Sequence, residues 1–282
     1  MQFIFSTGSL WTYSIERCFE FAAAAGFDGM EIMVDQRWET RQPHYLQRLM
    51  AQFSLPILAV HNPFAAPPGW PLGKHNYLRQ SVTVAEAVGS PVVVHHLPWR
   101  VGFVKLDSGG KSSYFLNPFG NPERPYRQWL ANGGYKALQS ETGVKLCIEN
   151  MPATRVWGRD WNRASWNNIE TIQRFLHLTL DTTHLATWGL DPVEVYSQWH
   201  GRVHHIHLSN FDGREHRRPE DGQVNLARFL RLLVEMGYDG AVSLELHPDA
   251  LEAGGDDGRI VELLSHSLAC CREWAKPMSH EQ

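Results

Sequence analysis

Val144-Lys145-Leu146-Cys147-Ile148-Glu149-Asn150 is an apolar run that ends on a carboxylate. A short run of this kind, with Val and Ile in it and turn signals around it, reads as a strand buried on both faces. Gly143 just before it is placed to cap a preceding helix, and Pro152 just after it forbids a simple continuation. Glu149 therefore falls where a buried parallel strand ends. That is where α/β barrels and open α/β sheets carry their chemistry.

The pattern recurs downstream. Leu178-Thr179-Leu180 ends on Asp181, with His184 three residues on; the run from Val203 to Leu208 carries His207 near its end; the run from Ala241 to Leu244 ends on Glu245. Four successive strand-like runs thus deliver Glu, Asp, His and Glu at the same end. One buried carboxylate at a strand end is as readily an ion pair or a cap as a ligand. Three carboxylates and a histidine at equivalent positions are hard to explain by packing, because the uncompensated charges would repel and desolvate one another. A divalent cation resolves the conflict.

The chain has 282 residues, close to the ~250 of one (β/α)8 barrel domain. Its 43% apolar content can build a full core. A net charge of -4 and a pI near 6.4 argue against a general nucleic-acid binder. The four cysteines, Cys18, Cys147, Cys270 and Cys271, contain no Cys-x-x-Cys pair, and a vicinal pair is poorly placed for a structural bridge. That usage fits a reducing cytoplasm. The start Met1-Gln2-Phe3-Ile4-Phe5 lacks a basic region and a long apolar one, so no signal peptide is expected. No apolar run approaches the ~20 residues of a membrane span.

Working outward from the opening stretch, helix–Gly–strand grammar repeats along the chain. A helix over 14–25, rich in Phe and Ala, stops at Gly26, and Phe27-Asp28-Gly29-Met30-Glu31-Ile32 follows. Gly237-Tyr238-Asp239-Gly240 before Ala241 echoes it: Gly ends a helix, an aromatic plugs the core and Asp-Gly makes the turn. Strands are expected near residues 3, 29, 57, 92, 144, 178, 203 and 241, with helices between them, as a closed parallel barrel requires. No Gly-x-Gly-x-x-Gly and no phosphate-binding loop support the alternative, a doubly wound open sheet. The expectation is one (β/α)8 barrel domain over 1–282, with its active site at the C-terminal ends of the strands.

The strand-to-helix loops are unequal. Segment 62–73 is rich in Pro and Gly with Phe64 and Trp70; segment 97–125 carries Trp99, Phe103, Tyr114, Phe115 and Phe119; segment 153–168 interleaves Trp157, Trp161 and Trp166 with Arg155, Arg159 and Arg163. Loops of this length are usually functional lids or contacts. Their aromatics suit sugar faces or nucleobases, and equally suit packing on one another or at a subunit interface. Histidines extend the ligand set: His61 ends the third run, His95 with His96 the fourth, and His205 shares a face with His207 by strand alternation. His216 follows in the loop 210–224.

Ile148-Glu149-Asn150, Leu180-Asp181-Thr182-Thr183-His184, His205-Ile206-His207-Leu208 and Ser243-Leu244-Glu245 together resemble the xylose isomerase-like barrel superfamily. That group joins sugar isomerases and epimerases to AP endonucleases of the endonuclease IV type. The resemblance runs from Phe3 to roughly Leu264. In its ketose 3-epimerase branch it implies one divalent ion (Mn, Mg, Co or Zn) held by Glu149, Asp181, His207 and Glu245. The two glutamates would also be the catalytic acid and base, on opposite faces of a keto sugar whose enediolate the metal holds. His184 would contact a substrate oxygen, and Arg214 would neutralise charge or hold a phosphate. His61, His95 and His216 complete the substrate-binding candidates.

In the endonuclease branch the resemblance implies a three-zinc cluster that adds His61, His95, His184 and His216. One position departs: that branch shows Asp, one residue, then His, where this chain has Arg214-Glu215-His216. A guanidinium cannot ligate a metal and would repel one. The expected function is accordingly a metal-dependent sugar or sugar-phosphate isomerase/epimerase. An endonuclease IV-like phosphodiesterase and an inosose-type keto-polyol dehydratase are the alternatives. The expected partner is a small sugar, with neither nucleic acid nor membrane, and the family and symmetric assembly in general favour a dimer or tetramer.

Overall fold

The computed structural model describes residues 1–100, 102–108, 111–116, 120–156 and 159–276, with backbone alone at 103–108, 111–116, 155–156 and 159–160. In chain order its strands are β1 (Gln2–Ser6), β2 (Gly29–Met33), β3 (Ile57–His61), β4 (Val92–His96), β5 (Phe103–Ser108), β6 (Lys111–Leu116), β7 (Lys145–Glu149), β8 (Thr154–Val156), β9 (Arg159–Trp161), β10 (His177–Asp181), β11 (Val203–Leu208) and β12 (Ala241–Leu244). Eight of them, one at each expected position, close into a parallel barrel in the order β1-β12-β11-β10-β7-β4-β3-β2. Helices such as Ile15–Ala25, Lys74–Val88 and Leu226–Glu235 return the chain between strands.

Local chemistry explains the punctuation. Gly26 (φ 87) and Gly89 (φ 73) end their helices in the left-handed region, where a Cβ is costly. Gly143 behaves differently from the expectation. The helix Gly134–Glu141 stops at Thr142 in an extended conformation, and Gly143 does not take a positive φ. The Gln139 side chain makes the stop instead, donating to the Val144 carbonyl at 2.9 Å and accepting from the Leu146 amide at 2.8 Å. The echoed turns serve as expected: Phe27 and Tyr238 are buried plugs, and a Cβ on Gly240 would come within 2.5 Å of the Tyr238 hydroxyl.

Side chains alternate across each strand. The outward set, including Phe5, Ile32, Val93, Leu146, Ile148, Ile206 and Val242, is buried with the helices in the main core. Burying each such large side chain is worth roughly 1.5–3 kcal/mol. The inward set is small at the bottom (Ile4, Ala59, Val92, Val94, Cys147 and Ala241). Above it the barrel interior turns polar, and register fixes which residues face inward. His96 pairs with Glu149 and Asp181 with His207.

The long connections contain structure that the sequence reading missed: two antiparallel hairpins, β5–β6 and β8–β9. Their bases are joined, because Trp99 bridges Ala164, the Arg100 amide donates to the Arg163 carbonyl at 2.6 Å and the Ser165 amide to the Pro98 carbonyl at 2.8 Å. Trp70, Trp99 and Trp166 are partly buried against the core, whereas Phe64 and Trp161 are exposed. Phe119 and Trp157, and the side chains of Phe103, Tyr114, Phe115, Arg155 and Arg159, lie outside the described residues. All four cysteines are free thiols. Among the described residues no helix is long and apolar enough to cross a membrane.

Candidate active site

His207 stands at the centre of the barrel mouth. Its Nδ1 lies 2.9 Å from Glu149 Oε1, 3.0 Å from Glu245 Oε2 and 3.8 Å from Asp181 Oδ2. Burial opposes charge on His207, yet the carboxylates of Glu245, Glu31 and Glu149 hold its pKa well above the ordinary histidine value. Burial also opposes ionisation of Glu149 and Glu245. The His207 ring overrides it, holding Glu149 well below the carboxylate range and Glu245 at about 2. Asp181 goes the other way, pushed well up by burial and by the neighbouring charges of Glu149 and Glu245, against the pull of His216 and His207. Three acids around one imidazole balance themselves with protons unless another positive charge is supplied.

The residues fit a divalent ion. The donor atoms of Glu149, Asp181, His207 and Glu245 lie within 4.8 Å of one another. Asp181 Oδ2 is buried with no hydrogen-bond partner, a costly state for a carboxylate oxygen unless a cation or proton takes it. Carboxylates with one imidazole suit Mg²⁺, Mn²⁺ or Zn²⁺.

Neighbouring groups aim these ligands. Asn150, directly after Glu149, clamps β7 to β10: its Oδ1 accepts from the Asp181 amide at 2.8 Å and its Nδ2 donates to the Asp181 carbonyl at 3.1 Å. Asp181 Oδ1 caps the helix Thr182–Thr187 by accepting from the His184 amide at 2.8 Å, which leaves Oδ2 to face His207. Beneath the mouth, fully buried Glu31 touches His207 on its other nitrogen, Nε2, at 3.1 Å.

Two further groups flank the centre and share its acids. His61 Nε2 and His96 Nε2 approach Glu149 Oε2 at 3.5 and 2.8 Å. On the opposite side, Asp181, His184 and His216 offer three donor atoms within 4.8 Å, and His184 Nε2 lies 3.8 Å from Glu215 Oε2. His216 is held by its Nδ1 contact with the Glu245 carbonyl at 3.1 Å.

Two of the expected substrate contacts are corrected. His95 does not enter the mouth. It pairs with Ile148 on the outer face of the wall, its Nδ1 lies 2.7 Å from the Tyr126 hydroxyl and its ring stacks against Tyr135. Burial there depresses its pKa to about 3. His96, one residue on, takes the inward place. Arg214 is also outside: its side chain is 68% exposed and pairs with Asp212 at 2.6 Å. His61, His184 and His216 do reach the mouth.

Glu31 and Glu215 are groups that the sequence reading missed, and His96 is named there beside His95 without a role. Glu31 did leave a signal, as the acid within the apolar strand Gly29-Met30-Glu31-Ile32-Met33, a segment that echoes the one ending on Glu245.

A cavity of about 480 Å³ opens over Glu245 and His216, lined by Trp11, Met33, Phe64 and His247 among others. Phe64 stacks on His61, and Trp11 meets His247 edge-on with ring centroids 5.5 Å apart. The cation on this wall, Arg37, is committed to Asp35 and to the carbonyls of Thr7, Leu10 and Tyr13.

The fold has counterparts. The family described as "Xylose isomerase-like TIM barrel" matches residues 19–270. An uncharacterized protein of Mycobacterium leprae is 26% identical over 272 residues, covering 88% of this chain and 89% of its own. One of Methanocaldococcus jannaschii is 23% identical over 257 residues, covering 88% and 89%. Among solved structures, a D-tagatose 3-epimerase-like protein superposes with a TM-score of 0.66 at 21% identity, over 98% of this chain and 100% of that one. A 3-keto-D-glucoside 4-epimerase from E. coli gives 0.67 at 14% identity, over 97% and 99%. An AP endonuclease, family 2, from Brucella melitensis gives 0.63 at 16% identity, over 98% and 100%. These likenesses establish the fold, and with the family match over most of its length, the chain belongs to the xylose isomerase-like TIM barrel family.

Proposed function

We propose that the protein is a divalent-metal-dependent isomerase or epimerase of a sugar or sugar phosphate. The observation that carries this reading is the pair Glu149 and Glu245, which approach His207 Nδ1 at 2.9 and 3.0 Å, with Glu245 in the wall of a cavity of about 480 Å³. Both are held in the carboxylate form, as proton acceptors must be. An ion held by Glu149, Asp181, His207 and Glu245 would polarise a substrate carbonyl and acidify the adjacent C–H. One glutamate, as a carboxylate, would remove that proton; the C–H pair would form a C=C bond to the carbonyl carbon as the C=O π pair moves onto oxygen, and the other glutamate, after taking a proton from solvent, would deliver it to the opposite face as the carbonyl re-forms. His61 and His184 are placed to hydrogen-bond substrate oxygens, and Phe64 and Trp11 to cover an apolar sugar face and exclude water.

The test is solvent deuterium uptake at the substrate C–H, screened over ketoses. Glu245→Gln should cut uptake by ~10²–10⁴-fold with an unchanged circular-dichroism spectrum. Wild-type uptake in that variant would overturn the acid–base assignment.

A second reading rests on the flanking histidines. Glu149 is shared between the centre and His61–His96, and Asp181 between the centre and His184–His216. Shared carboxylates between adjacent donor groups suit two or more ions and hydrolysis of a phosphodiester. Arg214 turns outward and Glu215 inward, so the guanidinium does not obstruct that arrangement.

A further inference from the structure

We propose that Glu31 is the positioning residue of the metal centre, fixing through His207 Nε2 which nitrogen of that ring is offered to the ion. Its chemistry is that of a buried acceptor. Ser6 Oγ donates to Glu31 Oε1 at 2.8 Å, and Glu31 Oε2 lies 2.6 Å from His205 Nε2 and 3.1 Å from His207 Nε2. An ionised carboxylate only accepts, so both facing nitrogens carry protons. With its proton on Nε2, a neutral His207 presents the Nδ1 lone pair to the side where Glu149, Asp181 and Glu245 converge. A carboxylate on the far nitrogen of a ligating imidazole fixes the ring and makes the near nitrogen a better donor.

Two simpler readings fit less well. Glu31, His205 and His207 form a donor group of their own. However, a 2.6 Å nitrogen–oxygen separation is closer than two ligands of one ion ~2.0–2.1 Å away can stand, so these are hydrogen bonds. As a purely structural ion pair, Glu31 would be a poor choice, because a buried pair often contributes less than an apolar replacement. From its place on β2 a single carboxylate oxygen reaches both His205 and His207 of β11.

The inference rests on His207 being a metal ligand, a point common to both functional readings. It is tested with zinc alone, by competition against a chromogenic chelator, on wild-type protein, Glu31→Gln and Glu31→Ala. Glu31→Gln keeps an oxygen facing the histidines and removes the charge. The zinc Kd should rise ~10–100-fold in Glu31→Ala, with Glu31→Gln between it and wild type. Nitrogen-15 NMR of the zinc-loaded wild type should show His207 protonated at Nε2 and metallated at Nδ1. Equal Kd values in all three proteins, with equal losses of melting temperature in the apo and loaded forms, would reduce Glu31 to a structural role. Zinc on Nε2 would overturn the proposal outright. Failure of the wild type to bind zinc, manganese or cobalt would instead remove the metal reading, and the role of Glu31 with it.

Discussion

At the scale of single residues, the histidines at 95 and 96 behave as opposites. His96 contacts Glu149 in the mouth. His95 is sealed behind the wall against Tyr126 and Tyr135. His95→Phe should therefore leave metal binding intact and destabilise the fold at pH 7 by ~1–3 kcal/mol, through the lost bond to Tyr126. The pH dependence carries a sign. Burial lowers the His95 pKa from 6.5 to about 3, so below pH 6.5 the unfolded chain binds a proton that the native state refuses. Wild-type stability from this group is thus full above pH 6.5 and falls as the pH drops towards 3, by about 2 kcal/mol at pH 5. Urea unfolding at pH 7 and pH 5 should show the gap between His95→Phe and wild type closing on acidification. A gap that stays constant would mean that His95 is charged in the native state. His96→Ala should do the reverse, weakening metal retention with little change in unfolding midpoint of the metal-free protein.

Among elements, the junction between β7 and β10 matters most, because Asn150 joins them where Glu149 and Asp181 emerge. Asn150→Ala leaves both bonded groups of Asp181 without those partners. It should cost ~1–3 kcal/mol, speed hydrogen exchange at the Asp181 amide and weaken metal binding; unchanged exchange there would show that the strands hold their register without the clamp. Elements are also where the sequence was most legible. Short apolar runs alternating with helical patterns located all eight barrel strands, because parallel strands buried on both faces write nearly continuous apolar text. The same property hid which way a residue points. Val92-Val93-Val94-His95-His96 has no alternation, so only its pairing with β7 selects His96 over His95. Glu149, Asp181, His207 and Glu245 stood out as strand-end acids or histidine and do converge. Glu31 lies two layers of reasoning deeper, since its meaning depends on a histidine on β11 that only barrel closure brings near. The hairpins escaped for another reason: β5 and β6 fall in a segment read for its aromatics rather than for pairing.

For the whole molecule, the charge gathered at one end of the barrel decides what it can hold. Glu31, Glu149, Asp181, Glu215 and Glu245 all contact histidines at or just beneath the mouth. One divalent ion would leave three of these five charges to be balanced by protons, and two ions would leave one. A centre of four donors with two flanking groups that share its acids should therefore fill in order. One ion should bind tightly at Glu149, Asp181, His207 and Glu245. Any second ion, held largely by histidines, should bind more weakly and compete with protons, so that its affinity rises with pH. Because an ion that binds only the native state stabilises it, loading at ~100 times Kd should add about 2.7 kcal/mol to unfolding, and chelation should remove it. Elemental analysis of protein dialysed at pH 6 and at pH 8 against manganese, cobalt or zinc reads the count directly. A single equivalent at both values favours proton transfer on a sugar, because the flanking histidines then remain available to substrate oxygens. Two or more zinc equivalents at pH 8 would commit those same histidines to metal, leaving too few groups to hold a ketose and turning the site towards phosphodiester hydrolysis.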